Sequence, residues 1–272
     1  MIVHNHIFKN AGTTIDWALA KNFGTTFVDH REDHLMRQGA SYLGPYLSEN
    51  RHIKALSSHH LAMPLPELVG VRTMMVMMFR DPLERVTSVY KFERAQELSS
   101  HPGVIHAKKY AFGEYIVWRM RPDVGPTIRN FHVRKTLPSK KISQVVISNQ
   151  DMLEAKQFVK SVELLGLVER FDESMVLFEE SLKRTFPSID FSYVAQNVGQ
   201  EASEKKELRL ERLKTEIGDE IFELLLNNNL QDLQLLAFVE EVFVSRISKV
   251  KDFAGKLANF RARCVAKMEA IS

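Results

Sequence analysis

Residues 74–79, MMVMMF, are the longest strongly apolar run of the chain. With no polar position among them they read as a strand buried on both faces, as expected for the centre of a parallel sheet. Directly after the run, Arg80-Asp81-Pro82-Leu83-Glu84 offers Asp81 as an N-cap, Pro82 at the first helical position and Glu84 three residues on. This predicts a capping box and a helix starting at the strand's carboxyl end. Residues 2–8 mix β-branched and aromatic positions. They lead into a short polar loop, 9–14, and then into Ile15, Trp17, Ala18, Leu19 and Phe23 at helical spacing. Further strands are predicted at 25–28, 53–57, 73–79 and 164–168, separated by segments of helical character, an alternation that argues for an α/β fold with helices covering a parallel sheet. From residue 149 onward the three- and four-residue spacing predicts helices over 151–162, 171–185, 201–213 and 217–243. The Pro- and Gly-bearing stretch 120–138 reads as a surface excursion of the kind that often carries function.

Residues 1–243 are read as one α/β domain and 244–272 as a basic amphipathic helix, packed on the domain or used for association. In this tail Arg246, Lys249, Lys251, Lys256, Arg261, Arg263 and Lys267 face only Asp252 and Glu269, while Ile247, Val250, Phe253, Leu257, Phe260 and Cys264 recur every three or four residues.

Composition narrows the function classes. Across 272 residues, 44% hydrophobic and 26% charged, the chain can bury a sizeable core. The balance of 37 basic and 34 acidic residues gives no general electrostatic case for nucleic-acid binding. One cysteine, Cys264, excludes a Cys-rich zinc module and a disulfide scaffold. No run approaches the roughly 20 apolar residues of a membrane span, and no signal peptide is visible. The expectation is a cytoplasmic protein without a transmembrane segment.

The loop Lys9-Asn10-Ala11-Gly12-Thr13-Thr14 has the makings of an anion cradle. Gly12 permits close backbone approach, the threonines bring hydroxyls, Lys9 brings charge, and the following helix adds the positive end of its dipole. It is not a Walker A motif, since GxxxxGK[ST] is absent. Arg80 at the end of the buried strand and Ser88 two turns into the next helix could grip a second phosphate. If the two strands are neighbours, both loops face one crevice beyond their carboxyl ends. Arg80 could equally pair with Asp81 or Glu84. The pairs His4/His6 and His30/His34 lack a full ligand set, so no metal is expected.

KNAGTT after a first strand and RDPLERVTSVY after a later one resemble the nucleotide-binding elements of sulfotransferases that use 3′-phosphoadenosine 5′-phosphosulfate (PAPS). The wording is closest to the carbohydrate group typified by heparan sulfate 2-O-sulfotransferase, and weaker similarity continues through residues 164–179 and 228–238. The resemblance implies a P-loop NTPase-like three-layer fold. It also implies transfer of a sulfuryl group to a hydroxyl of a carbohydrate or glycan-like acceptor, with PAPS as co-substrate and no metal requirement. Lys9 and the loop Asn10, Ala11, Gly12, Thr13 and Thr14 would hold the 5′-phosphosulfate, and Arg80 and Ser88 the 3′-phosphate. Asn197 and Gly199 are further donor-site candidates. Phe8 and Asn10 stand where relatives usually carry proline and threonine.

The same family carries a catalytic histidine shortly upstream of its RDP motif, and Ser57-Ser58-His59-His60 is the matching segment; His60 is preferred by spacing, with His59 close behind. Lys9 would stabilise the departing phosphate. Arg129, His132 and Arg134, in a group with Arg119, Arg121 and Lys135, are candidates for an anionic acceptor. Two rival readings are a non-catalytic nucleotide-binding protein and an anionic-polymer binder working through the basic tail. A homodimer is left open.

Overall fold

The computed structural model describes residues 1–97, 100–138, 146–194 and 205–270. The strands are β1 (Ile2–Asn5), β2 (Phe27–Asp29), β3 (Ala55–Ser58), β4 (Met74–Phe79) and β5 (Leu164–Leu167). Among them run α1 (Gly12–Phe23), α2 (Asp33–Met36), α3 (Ala40–Glu49), α4 (Pro82–Ala95), α5 (Pro102–Lys109), α6 (Phe112–Met120), α7 (Phe131–Thr136) and α8 (Asn149–Ser161). The chain then continues through α9 (Phe171–Leu182), α10 (Lys206–Ile217), α11 (Asp219–Asn227), α12 (Leu230–Ile247) and α13 (Phe253–Glu269).

All strand pairs are parallel, in the order β2-β3-β1-β4-β5. Every residue of β4 is buried, and the strand divides its side chains by the period of two. Met75, Met77 and Phe79 join α3, α7, α8 and α12 on one face, whereas Met74, Val76 and Met78 join α1, α9 and α13 on the other. This is the expected sheet between two helical layers. A third apolar cluster, built by α4, α5, α6, α10 and α11, completes the core.

Chain order makes the crevice. From β1 the chain passes to β2 and β3 on one side, and from β4 it moves to β5 on the other. The carboxyl ends of neighbouring β1 and β4 therefore mark the topological switch point, where open α/β sheets take their ligands.

Two sequence expectations need correction. Only the first part of the stretch 120–138 is a surface excursion: Arg121, Pro122, Asp123 and Gly125 are exposed, whereas Ile128, His132, Val133, Arg134, Thr136 and Leu137 are buried. Asp232 of α12 accepts the backbone N–H groups of His132 and Val133 at 2.9 Å each, and Asn229 Nδ2 donates to the Ile128 carbonyl at 3.0 Å. The helix expected over 217–243 is two helices, broken at Asn228 and Asn229, and the second runs on to Ile247. The tail helix accordingly starts only at Phe253, where Asp252 (φ 50°) caps it by accepting from Gly255 N at 3.3 Å.

Candidate active site

The loop after β1 turns through two non-glycine residues of positive φ, Lys9 at 64° and Ala11 at 59°. Left-handed residues this close together fold successive N–H groups into a concavity suited to an anion. Ala11 is the N-cap of α1 and supplies no capping side chain. The N–H groups of Ala11, Gly12 and Thr13 have no acceptor among the described residues, so the helix terminus is uncapped.

The β4 loop meets this one directly. Arg80 Nη1 donates to the Lys9 carbonyl at 3.2 Å, and Lys9 Nζ sits 4.5 Å from the centroid of the Phe92 ring of α4. Burial and the neighbouring Arg80 guanidinium both lower the Lys9 ammonium from its ordinary value. Asp81 and Glu84, the acids next to Arg80 in the chain, are engaged elsewhere, and Glu169 acts on Arg80 only at longer range. Asp81 caps α4 through Leu83 N and Glu84 N and meets Lys206 Nζ at 2.7 Å, while Glu84 accepts from Arg209 at 2.8 and 3.0 Å. Among the described residues no carboxylate comes within 4.0 Å of Lys9 or Arg80. Arg80 Nε is buried without a partner, and half-buried Ser88 has no side-chain hydrogen bond among the described residues.

The expected capping box is thus half formed. Glu84 bonds Arg209, and the Asp81 N–H donates instead to Glu169 Oε1 at 2.9 Å.

Three loop residues make contacts with the rest of the fold that the motif does not show. The Asn10 side chain turns inward: Nδ2 donates to the Met78 carbonyl at 2.7 Å and lies 2.8 Å from His132 Nε2, and its backbone N–H donates to Ile7 O. It anchors the loop to β4 rather than offering its amide to a ligand. Gly12 is demanded by a protein neighbour, since a Cβ there would lie 2.1 Å from His6 Cδ2. Phe8 wedges between elements, edge-on to Phe92 at 5.3 Å and to His59 at 6.4 Å between ring centroids.

The two candidate histidines separate. His59 reaches the β1 loop, its ring 3.8 Å from that of His6 between centroids and its Nδ1–H donating to the His6 carbonyl at 2.9 Å. This bond fixes the neutral tautomer with the lone pair on Nε2. Burial, reinforced by His6, pushes its pKa down to about 3. His60 Nε2 instead meets Asp33 at 2.8 Å, on α2. The spacing preference for His60 therefore gives way to His59, the one of the two whose ring packs against the β1 loop. Lys135 Nζ, pushed down to about 8 mainly by burial, donates to the His59 carbonyl at 2.7 Å.

Of the acceptor candidates, His132 and Arg134 are buried, which corrects their reading as a surface for an anionic chain. His132 Nδ1 lies 3.2 Å from Asp232. Arg134 Nε donates to the Arg129 carbonyl at 3.3 Å, and Arg129 is itself tied to the carbonyls of Met120 and Val124. Asn197 and Gly199 lie outside the described residues.

Three residues were missed. Arg85, within the RDPLER motif, is fully buried and donates to the carbonyls of Phe8 (3.1 Å) and Thr127, stacking 4.5 Å from Phe131. It braces the β1 loop from below. Asn5 closes β1 fully buried with neither amide atom hydrogen-bonded, a penalty of about 1–3 kcal/mol that marks a polar spot at the strand end. Asp16 joins His4 and His6, each imidazole Nδ1 being 2.7 Å from one carboxylate oxygen, with Arg31 at 3.4 Å. Burial opposes ionisation of Asp16, but the bonds from His4 and His6 prevail and hold its carboxyl well below the usual range. These residues gather ligand-type atoms within 4.8 Å of one another, and they use them on each other.

No family model matches the chain. It is similar to an uncharacterized protein of Archaeoglobus fulgidus, with 28% identity over 252 residues that cover 89% of this chain and 97% of that protein. No helix among the described residues is long and apolar enough to cross a membrane.

Proposed function

We propose that the protein is a PAPS-dependent sulfotransferase acting on a hydroxyl of a carbohydrate or glycan-like acceptor. The observation that carries this reading is the pairing, at the switch point, of two cations with no carboxylate within 4.0 Å among the described residues, Lys9 and Arg80, beside an uncapped helix terminus. A donor with phosphates at two ends calls for such a divided site. The residues fit it: the buried, unpartnered Nε of Arg80 and the free hydroxyl of Ser88 suit the 3′-phosphate, and Lys9 with the N–H groups of Ala11, Gly12 and Thr13 suits the 5′-phosphosulfate.

When bound, PAPS supplies a sulfuryl group on a phosphate leaving group. His59 Nε2 takes the acceptor hydroxyl proton as that oxygen bonds to sulfur, and Lys9 balances the charge of the electron pair left on the phosphate oxygen. The His6 carbonyl keeps the imidazole in the tautomer this role needs. The depressed pKa leaves the Nε2 lone pair free of a proton in the physiological range but makes the imidazole a weak base, so the proton moves only once the acceptor oxygen is bonding to sulfur and has become strongly acidic.

The polymer-binder reading loses support from the tail itself. Lys256 meets Glu180, Arg261 meets Asp172, Arg263 meets Glu179 and Asp190, and Lys267 meets Asp190. Most of the charge on α13 is spent within the fold.

Incubation with sulfur-labelled PAPS and a panel of oligosaccharides tests the proposal. Label should pass to at least one saccharide, and Lys9→Ala and His59→Ala should each lower the rate by about 10²-fold or more. Tight binding of the product nucleotide with no label transfer to any acceptor would favour the non-catalytic alternative.

A further inference from the structure

The amino-terminal end of the sheet, the length of β4 or roughly 16 Å away from the switch point, carries a second cationic feature. A cleft of about 690 Å³ opens there, at the starts of β4 and β5. Its walls carry cations from separate chain segments, before β4, after α9 and around the α12–α13 turn. Its floor includes Met74, Leu177 and Val250.

The cations differ in how far they are already used. Glu180, the one acidic residue lining the cleft among the described residues, is shared by Lys183 and by Lys256 (2.6 Å). Arg246 is half-buried and held by the carbonyls of Val162, Glu163 and Lys160 at 2.6, 3.1 and 3.0 Å, so its guanidinium is a fixed part of the wall. Arg72, Arg184, Lys249 and Lys251 are exposed and have no carboxylate within 4.0 Å among the described residues. Bringing four unneutralised cations to one concavity costs self-repulsion, which an anion would relieve.

We propose that this cleft is a second anion-binding site, for a compact ligand bearing several phosphate or sulfate groups. Its volume lies within the range of small-molecule sites. The cations converge on one hollow from three segments instead of lining an edge, which favours a compact ligand over an extended polymer. Guanidinium groups supply forks for tetrahedral oxyanions, and the lysines add adjustable point charges. The site is independent of the sulfotransferase reading, as it shares no residue with the switch-point loops.

Inorganic tripolyphosphate is the probe, titrated calorimetrically into the full chain carrying Lys9→Ala and Arg80→Ala so that the switch-point site does not contribute. Circular dichroism checks that this chain is folded. One equivalent should bind, more weakly as salt rises. Adding Arg184→Ala, Lys249→Ala and Lys251→Ala, all at exposed positions, should weaken binding at least tenfold. A parallel arm uses phosphatidylcholine vesicles containing an inositol-bisphosphate lipid. Co-sedimentation that the triple change abolishes assigns the phosphates to a headgroup, and its absence assigns them to a free anion. No heat with tripolyphosphate, or equal affinity with and without the triple change, would overturn the proposal. Binding only to a long-chain polyanion would replace it with an extended polymer surface.

Discussion

Gly12 and His6 meet at the point where strand β1 becomes the anion loop. A methyl group at position 12 would lie 2.1 Å from the His6 ring, which is itself held by Asp16 and packed at a tilt against His59. Gly12→Ala should therefore cost about 1–3 kcal/mol in denaturant unfolding, as overpacking of a fixed neighbour does. In the sequence, Gly12 reads as room for a ligand. Its actual neighbour depends on the face to which a β1 side chain points, which the loop motif alone does not contain. His59 carries a pH signature. An unfolded imidazole binds a proton near pH 6.5, whereas the folded His59 does so only at about 3. Between those values the unfolded chain holds more protons, so stability drains away as the pH falls from 6.5 towards 3. His59→Gln should flatten that part of a stability profile measured by chemical denaturation at successive pH values. An unchanged slope would mean that the imidazole is solvated rather than buried against His6.

At the scale of elements, the strands and their order of burial were legible because apolar runs and β-branched positions report the sheet directly. The unbroken run of β4 and the cap at Asp81 are the clearest cases. Long-range polar pinning was not legible. Nothing near residue 132 announces that Asp232, a hundred residues on, will accept two of its segment's N–H groups and face its imidazole. That carboxylate turns an apparent surface loop into a buried brace linking α12, α7, Asn10 and β4. Burial works against the charge of Asp232, but His132 and the backbone bonds prevail and keep its carboxyl below its ordinary value. Asp232→Ala should destabilise the fold by roughly 3–5 kcal/mol, since it leaves buried donors and an imidazole unpaired. Asp232→Asn, which keeps an acceptor, should cost less, and thermal unfolding of the two variants checks the order.

Across the whole molecule, the crossing of the chain at β1 and β4 turns two separate motifs into one crevice. The sequence reading required only that their strands be neighbours, and the sheet order makes them so. Which histidine packs against the β1 loop was decided by tertiary structure, with His60 drawn to Asp33 and His59 to His6. The basic tail read in sequence as an amphipathic helix packed on the domain or used for association, and in the structure it is packed: Phe260 is fully buried and Lys256, Arg261, Arg263 and Lys267 meet acids of α9 and the segment after it. The most direct test of the central claim is calorimetric titration of the full chain with 3′-phosphoadenosine 5′-phosphate, beside ATP with magnesium and the Arg80→Ala variant. The account predicts micromolar, metal-independent binding that prefers the 3′-phosphate and weakens about ten- to a hundredfold in the variant, the loss expected for a charged hydrogen bond. No binding, or a preference for ATP with magnesium that Arg80→Ala leaves unchanged, would contradict it.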